Sequence, residues 1–240
     1  HLIPATMEGK ATHNVQNAMF AAALAFSMDK SLEDIRHGLQ TFNSTIFQAP
    51  GRMNVFDELP FRVILDYGHN AAAIASISQL VSRLEVGGKR ICVLAAPGDR
   101  RDEDIRAIAA EAAGHFDYYI CKADDNRRGR APEEVPEMLK EELRENGVKK
   151  RRISVVPDEV NAISEALGMA REGDLVVIFG DNIERCWNQV AGHQVEEGED
   201  TETLSENTVQ SFVEEDPEAF TLDPGSELIK DERGVRIARV

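Results

Sequence analysis

Hydrophobic positions recur along this chain with two different periods. In residues 13 to 28, Ala18, Ala21, Ala22, Ala25 and Met28 lie close to one helical face and Thr12 stands where a cap belongs, so the spacing predicts a tightly packed helix. Ser31-Leu32-Glu33-Asp34 reads as a capping box with Asp34 in place of Glu or Gln, and Leu32, Ile35 and Leu39 follow at helical spacing. The first 40 residues are therefore a helical pair without a strand, resembling the end of a preceding domain. From residue 50 onward the period changes. Short β-rich runs at 53–56, 62–66, 90–95, 117–121, 153–156 and 174–179 alternate with helical stretches near 70–84, 102–113, 132–146, 158–171 and 183–191. Runs such as Ile91-Cys92-Val93-Leu94 and Leu175-Val176-Val177-Ile178-Phe179 are apolar without alternation, as strands covered on both faces are. The fold class expected is α/β: a doubly wound, mostly parallel, Rossmann-like sheet.

In such a sheet ligands collect beyond the carboxyl ends of the strands. The loops at 66–70, 96–101, 122–130 and 180–184 are thus expected to share one rim. After His193 the chain turns acidic, with no long amphipathic period, and a flexible extension over 193–240 is expected, its strand-like Gly234–Arg239 the piece most suited to docking. The domain boundaries expected are 1–47, 48–192 and 193–240.

Charge narrows the partners. The 240 residues carry a net charge of −16, and residues 193–240 hold 14 acidic against 4 basic residues. A chain of that sign repels phosphate backbones, so no nucleic-acid partner is expected. No apolar run approaches the roughly 20 residues that cross a bilayer, and no basic-then-apolar leader is visible, so a soluble, cytoplasmic chain with no membrane partner is expected. Cys92, Cys121 and Cys186 are odd in number, far apart and set in or beside apolar runs, which suits reduced core thiols; no metal site is expected. A homo-oligomer is compatible with all of this. The opening His1-Leu2-Ile3-Pro4 lacks a methionine and reads as a fragment of a longer polypeptide.

The chemistry-bearing residues stand at the strand ends. Gly9-Lys10-Ala11-Thr12 lacks the spacing and hydroxyl of a phosphate loop, and no G-x-G-x-x-G follows any strand. Asp66-Tyr67-Gly68-His69-Asn70 closes one strand and opens a helix, either to meet a ligand's hydroxyls or phosphates or only to cap that helix. Asp99 heads the acidic and basic run after Pro97-Gly98. Asp124-Asp125-Asn126-Arg127-Arg128-Gly129-Arg130 packs two acids and three arginines into seven residues, a solvated charge run or a site for a zwitterion. Gly180-Asp181-Asn182 closes the fourth loop.

These segments resemble a known family. Gly51-Arg52-Met53-Asn54 followed by Asp66-Tyr67-Gly68-His69-Asn70 is similar to the G-R and D-Y-A-H-N-P pair that opens the C-terminal domain of the Mur ligases. Within that superfamily the likeness is greatest to the cyanophycin synthetases, through Pro97-Gly98-Asp99-Arg100-Arg101-Asp102-Glu103-Asp104, Asp124-Asp125 with Arg128-Gly129-Arg130, and Phe179-Gly180-Asp181-Asn182-Ile183-Glu184-Arg185-Cys186-Trp187. Thr12-His13-Asn14-Val15-Gln16-Asn17 is similar to the H-N-x-x-N helix that ends the central ATP-binding domain, which would make residues 1–47 a remnant of it. The motif's alanine and proline are replaced by Gly68 and Ala71, a change expected to loosen the turn.

The resemblance implies an ATP-dependent ligase that forms an amide through an acyl phosphate, adding arginine to aspartate side chains of a poly-aspartate backbone. ATP and Mg2+ would be the cofactors, held mainly by upstream ligase domains with a phosphate loop and an ATP-grasp half that this chain lacks, so the fragment alone is expected to be inactive. By matching positions Asn17 would contact adenine, Arg52 the phosphates, Asp66 a ribose hydroxyl, and His69 with Asn70 the same nucleotide neighbourhood. Asp99, Asp124, Asp125, Asn126, Arg127, Arg128, Arg130 and Asp181 would receive the incoming amino acid. No residue is assigned as catalytic. The alternatives are a peptidoglycan ligase for another amino acid and a peptide acceptor, or a non-catalytic binding module derived from a ligase.

Overall fold

One six-stranded sheet in the order β1-β2-β6-β3-β4-β5 organises the computed structural model, which describes residues 3–193 and, as backbone, strands at 226–231 and 234–239. The strands are β1 (Asn54–Phe56), β2 (Arg62–Asp66), β3 (Arg90–Leu94), β4 (Tyr118–Cys121), β5 (Ile153–Val155) and β6 (Leu175–Phe179). All neighbours pair in parallel except β1, which runs antiparallel to β2 with Asn54 opposite Leu65. The helices are α1 (Thr12–Ser27), α2 (Leu32–Thr41), α3 (Ala71–Arg83), α4 (Asp102–Ala112), α5 (Glu134–Glu145), α6 (Glu159–Met169) and α7 (Ile183–Ala191).

The unbroken apolar runs have the cause expected of them. Successive strand residues face opposite ways, and here both faces are covered. Ile64, Cys92, Leu94, Tyr119 and Val177 join the core under α3, α4 and α5, with Ile74, Ile77, Ile108 and Leu139. Val63, Leu65, Ile91, Val93 and Val176 join the core under α6 and α7, with Ile163, Leu167 and Val190. Each such side chain contributes about 1.5–3 kcal/mol relative to exposure. The doubly wound sheet is therefore the fold the periodicity predicts. Cys92, Cys121 and Cys186 are buried and free.

Three helices begin on capping side chains at the ends of strands or just beyond them. Asn70 Oδ1 accepts the Ala73 N–H at 2.9 Å, Asp158 Oδ1 that of Asn161 at 2.8 Å, and Asn182 Oδ1 that of Arg185 at 3.0 Å. The carboxyl ends of the parallel strands and the starts of α3, α6 and α7 consequently lie on one rim.

In the first 40 residues the cap of α2 forms as expected, whereas the cap and the packing of α1 do not. Ser31 caps α2 through the Asp34 N–H at 3.1 Å, as its motif predicts, but its hydroxyl turns onto the Asp34 carboxylate at 2.6 Å. Thr12 is not a cap: Ala11 holds that position with no side-chain bond, and the Thr12 hydroxyl instead accepts from Arg83. Nor is α1 tightly packed. No residue of α1 is buried, and Met19, Phe20, Leu24 and Phe26 are exposed. Its alanines line a groove of about 550 Å³ against α2.

Residues 3–193 belong to one compact unit. In the second, β7 (Ser226–Asp231) pairs antiparallel with β8 (Gly234–Arg239), Leu228 opposite Ile237. The strand expected at 234–239 is therefore present, with a partner strand that was not expected. The remaining tail, for which a flexible extension was expected, lies outside the described residues. No helix among the described residues is long and apolar enough to cross a membrane.

Candidate functional site

The Asp66–Asn70 turn divides the rim into two places. On one side is a cleft of about 410 Å³ whose walls include His13, Asn14 and Asn17 of α1, Arg52, and Asp66. On the other is a pocket lined by Tyr67, Gly68, His69, Pro97, Asp124 and Asp181, with Phe179 and Gly180 behind. Its free volume is only about 10 Å³, so a ligand would meet its mouth rather than its floor.

The cleft is built around Asp66. Its Oδ2 accepts the Met53 N–H at 2.8 Å and its Oδ1 the Gly68 N–H at 2.7 Å, which ties the 51–54 turn to the end of β2. Burial pushes the Asp66 carboxyl up, opposed by those two N–H groups, by Arg52 and by His13. Burial in turn lowers His13, against the pull of Asp66. Asn54, fully buried, accepts from the Gly51 N–H at 2.7 Å and donates to the Ser44 and Ala49 carbonyls at 2.9 Å, so Arg52 stands exposed on a braced turn. Asn17 donates to Asn14 at 3.2 Å and remains exposed. Asn17, Arg52 and Asp66 are thus together. His69 is not with them: its ring lies 5.1 Å from that of Tyr67 and faces the rim pocket, while Asn70 caps α3.

A Cβ on Gly68 would lie 2.9 Å from Phe179 Cδ1, so the missing side chain is space that the Phe179 ring occupies.

The 122–130 loop is fixed at both ends. A Cβ on Gly98 would lie 2.3 Å from the Arg127 carbonyl oxygen, so the 96–101 and 122–130 loops touch backbone to backbone. Arg130 donates to the carbonyls of Gly98 at 2.8 Å and Arg100 at 2.9 Å, and pairs with Asp102 and Glu134, both at 2.7 Å. Its donors are spent on holding the loop. Asp125 is engaged too, forked by Arg185 at 2.8 and 3.0 Å, and its N–H reaches Asp181 Oδ2 at 3.0 Å. Asn126 accepts the Arg128 N–H at 3.2 Å. What faces outward are the exposed Asp99, Arg127 and Arg128, with Asp124 and Asp181 half-buried beside them.

Sequence reasoning missed the charges beneath this loop. Lys122 is 0% and Glu159 2% exposed, with Lys122 Nζ 2.9 Å from Glu159 Oε1 and 3.6 Å from Asp124 Oδ1. Glu159 also accepts the Asp181 N–H at 2.7 Å and the Asn182 N–H at 3.3 Å, and pairs with Arg185. Burial alone would push Glu159 up; the Lys122 ammonium, the Asp181 N–H and the Arg185 guanidinium outweigh it and hold the carboxyl at about 2. The one available signal was a lysine directly after the apolar Tyr118–Cys121 run.

Residues 51–182 match the model of the Mur ligase, glutamate ligase domain. The chain belongs to the Mur ligase family. Cyanophycin synthetase of Nostoc sp. is 39% identical over 184 residues, 77% of this chain and 20% of that protein. The UDP-N-acetylmuramoyl-L-alanyl-D-glutamate–2,6-diaminopimelate ligase of Aquifex aeolicus is 32% identical over 162 residues, 67% of this chain and 31% of that protein. This Mur ligase chain thus spans about a fifth of the length of the cyanophycin synthetases it matches. Among solved structures, E. coli FolC in complex with DHPP and ADP matches with a TM-score of 0.53 at 22% identity, covering 67% of this chain and 34% of that one. UDP-N-acetylmuramate-alanine ligase MurC of Thermotoga maritima also reaches 0.53, at 19% identity, covering 75% and 37%.

Proposed function

We propose that this chain is the nucleotide-closing and amino-acid-binding end of an ATP-dependent ligase of the cyanophycin synthetase kind, which adds arginine to the side-chain carboxylates of a poly-aspartate acceptor. The observation that carries the reading is the 39% identity to a cyanophycin synthetase over 77% of the chain, against 32% over 67% to a diaminopimelate ligase. In the first step a carboxylate oxygen of the acceptor takes the terminal phosphoryl group of ATP, giving an acyl phosphate and ADP. In the second the incoming amine attacks the acyl carbon, phosphate leaves with the C–O bonding pair, and the amine's proton is lost.

No side-chain nucleophile is needed, so the chain's contribution is positioning and charge. In the cleft, Asn17 serves adenine, Arg52 the phosphates and Asp66 a ribose hydroxyl. Across the turn, Arg127 and Arg128 supply cations for the amino acid's carboxylate, while Asp124 and Asp181 supply carboxylates for a guanidinium. His69 borders the amino-acid side, and Asn70 shapes the turn between the two. For Mg2+ the fit is poor. The described residues contain no group of three His, Cys, Asp or Glu that could hold a metal ion, and both Asp66 oxygens accept backbone N–H groups, so no step is assigned to a metal on this chain.

The test is phosphate release by the full-length protein supplied with ATP. Turnover that requires arginine and poly-aspartate supports the reading; turnover with diaminopimelate and a muramyl peptide favours the peptidoglycan alternative; ATP binding without turnover on any acceptor favours a binding module.

A further inference from the structure

Glu159 and Arg185 lie behind the loop that the proposed function assigns to the amino acid, and neither faces the rim pocket. Glu159 is the first residue of α6, buried, and its two oxygens gather donors from two separate loops. From the 122–130 loop comes Lys122, and from the 180–185 segment come the N–H groups of Asp181 and Asn182 and the Arg185 guanidinium. Arg185 then continues outward as a two-pronged fork onto Asp125, whose own N–H closes the circuit on Asp181. A single carboxylate therefore sets the spacing between the loop that carries Asp124 and the loop that carries Asp181.

We propose that Glu159 and Arg185 are positioning residues for the amino-acid subsite, holding Asp124 and Asp181 at the separation that receives the cationic end of the incoming amino acid. The proposal rests on the reading of the 122–130 loop given above. Its physical basis is the fork. A guanidinium is planar and can pair with both Asp125 oxygens through two parallel bonds while still reaching Glu159, whereas an ammonium is a compact point charge without the planar fork that makes this two-pronged pairing. Arg185→Lys keeps the charge and loses the fork. Substrate then meets carboxylates displaced from their register, and a charged hydrogen bond weakened equally in the bound and reacting states is worth roughly 10- to 150-fold in KM.

The experiment is steady-state kinetics of the full-length protein with the amino acid and ATP varied separately, for Arg185→Lys, Asp125→Asn, the double variant and Asp124→Asn, with melting temperatures. The expected result is a KM for the amino acid raised on the order of 10-fold in Arg185→Lys, with the KM for ATP, the kcat and the melting temperature close to wild type. The Arg185→Lys and Asp125→Asn double variant should be no worse than the more impaired of the two single variants, because both remove the same Arg185–Asp125 bridge. Glu159→Gln should give the same kinetic split wherever it folds. If Asp124→Asn raises the amino-acid KM and Arg185→Lys does not, the positioning role is overturned and the loop reading stands. If neither moves it, the loop reading falls and the proposal with it. A rise in the KM for ATP equal to that for the amino acid, or a fall in melting temperature that accounts for the loss, assigns Arg185 to general stability and also overturns the proposal.

Discussion

The Asp66 carboxylate accepts the N–H of Met53, 13 residues earlier in the chain, at 2.8 Å, while its other oxygen takes the Gly68 N–H at 2.7 Å. A residue expected to meet a ribose hydroxyl is thus also the pin between the antiparallel edge turn and the β2–α3 turn. Asp66→Asn would set an amide NH2 against one of those N–H groups and leave a buried donor unmet. A loss of about 1–3 kcal/mol is expected, read as a lower unfolding free energy in urea; unchanged stability would show that the pin is dispensable.

Arg52 shares the cleft with Asp66 but is exposed on a turn that Asn54 braces. Arg52→Ala should therefore separate binding from folding. In the full-length protein the KM for ATP should rise or kcat fall roughly 10- to 150-fold, the worth of about 1.5–3 kcal/mol for a charged hydrogen bond, with an unchanged melting temperature. Early melting with normal kinetics would assign Arg52 to the turn.

Much of this was legible in the sequence because covered strands and their helices leave strong local patterns. The runs Ile91–Leu94 and Leu175–Phe179 are buried throughout, as unbroken apolar runs require. The pairing direction of β1 was not legible, since three residues carry no sign of it. Nor was the cluster of Lys122, Glu159 and Arg185. Their separations of 37 and 26 residues follow no period, and each residue taken alone resembles an ordinary strand end or first-turn helix charge. The loop's charges were legible as a group, yet the division of labour among them was not: Asp125 and Arg130 are engaged by protein partners while Arg127 and Arg128 face outward, and only tertiary geometry distinguishes them.

Glu159 also gives an acid signature. Its carboxyl is held at about 2 in the folded protein against an ordinary value of 4.5. A group whose folded value is lowered stabilises fully above its unfolded value, and that stabilisation is lost as the pH falls from 4.5 toward about 2. Glu159→Gln leaves Lys122 buried beside a neutral partner and should cost about 3–5 kcal/mol at neutral pH. The gap between wild type and variant should narrow as unfolding is measured from pH 6 to pH 3; a constant gap would mean that Glu159 is not the ionised centre of the cluster.

Arg130 should behave as a strut. Arg130→Ala removes donors from the Gly98 and Arg100 carbonyls as well as two ion pairs. Faster hydrogen exchange across 96–101 and 122–130 is expected, together with a poorer KM for every amino acid by a similar factor. Altered selectivity between amino acids would place Arg130 in direct contact with substrate.

The central claim is that the outward-facing charges of this rim recognise the incoming amino acid. It is tested most directly by kcat/KM for arginine, lysine and ornithine in the full-length protein, wild type and Asp124→Asn. A forked guanidinium meets two carboxylates in a way an ammonium does not, so wild type should prefer arginine strongly, and Asp124→Asn should erode that preference by lowering the arginine value most. Equal preference in the two proteins, at equal magnitude, would contradict the account and leave the 122–130 loop as a solvated charge run.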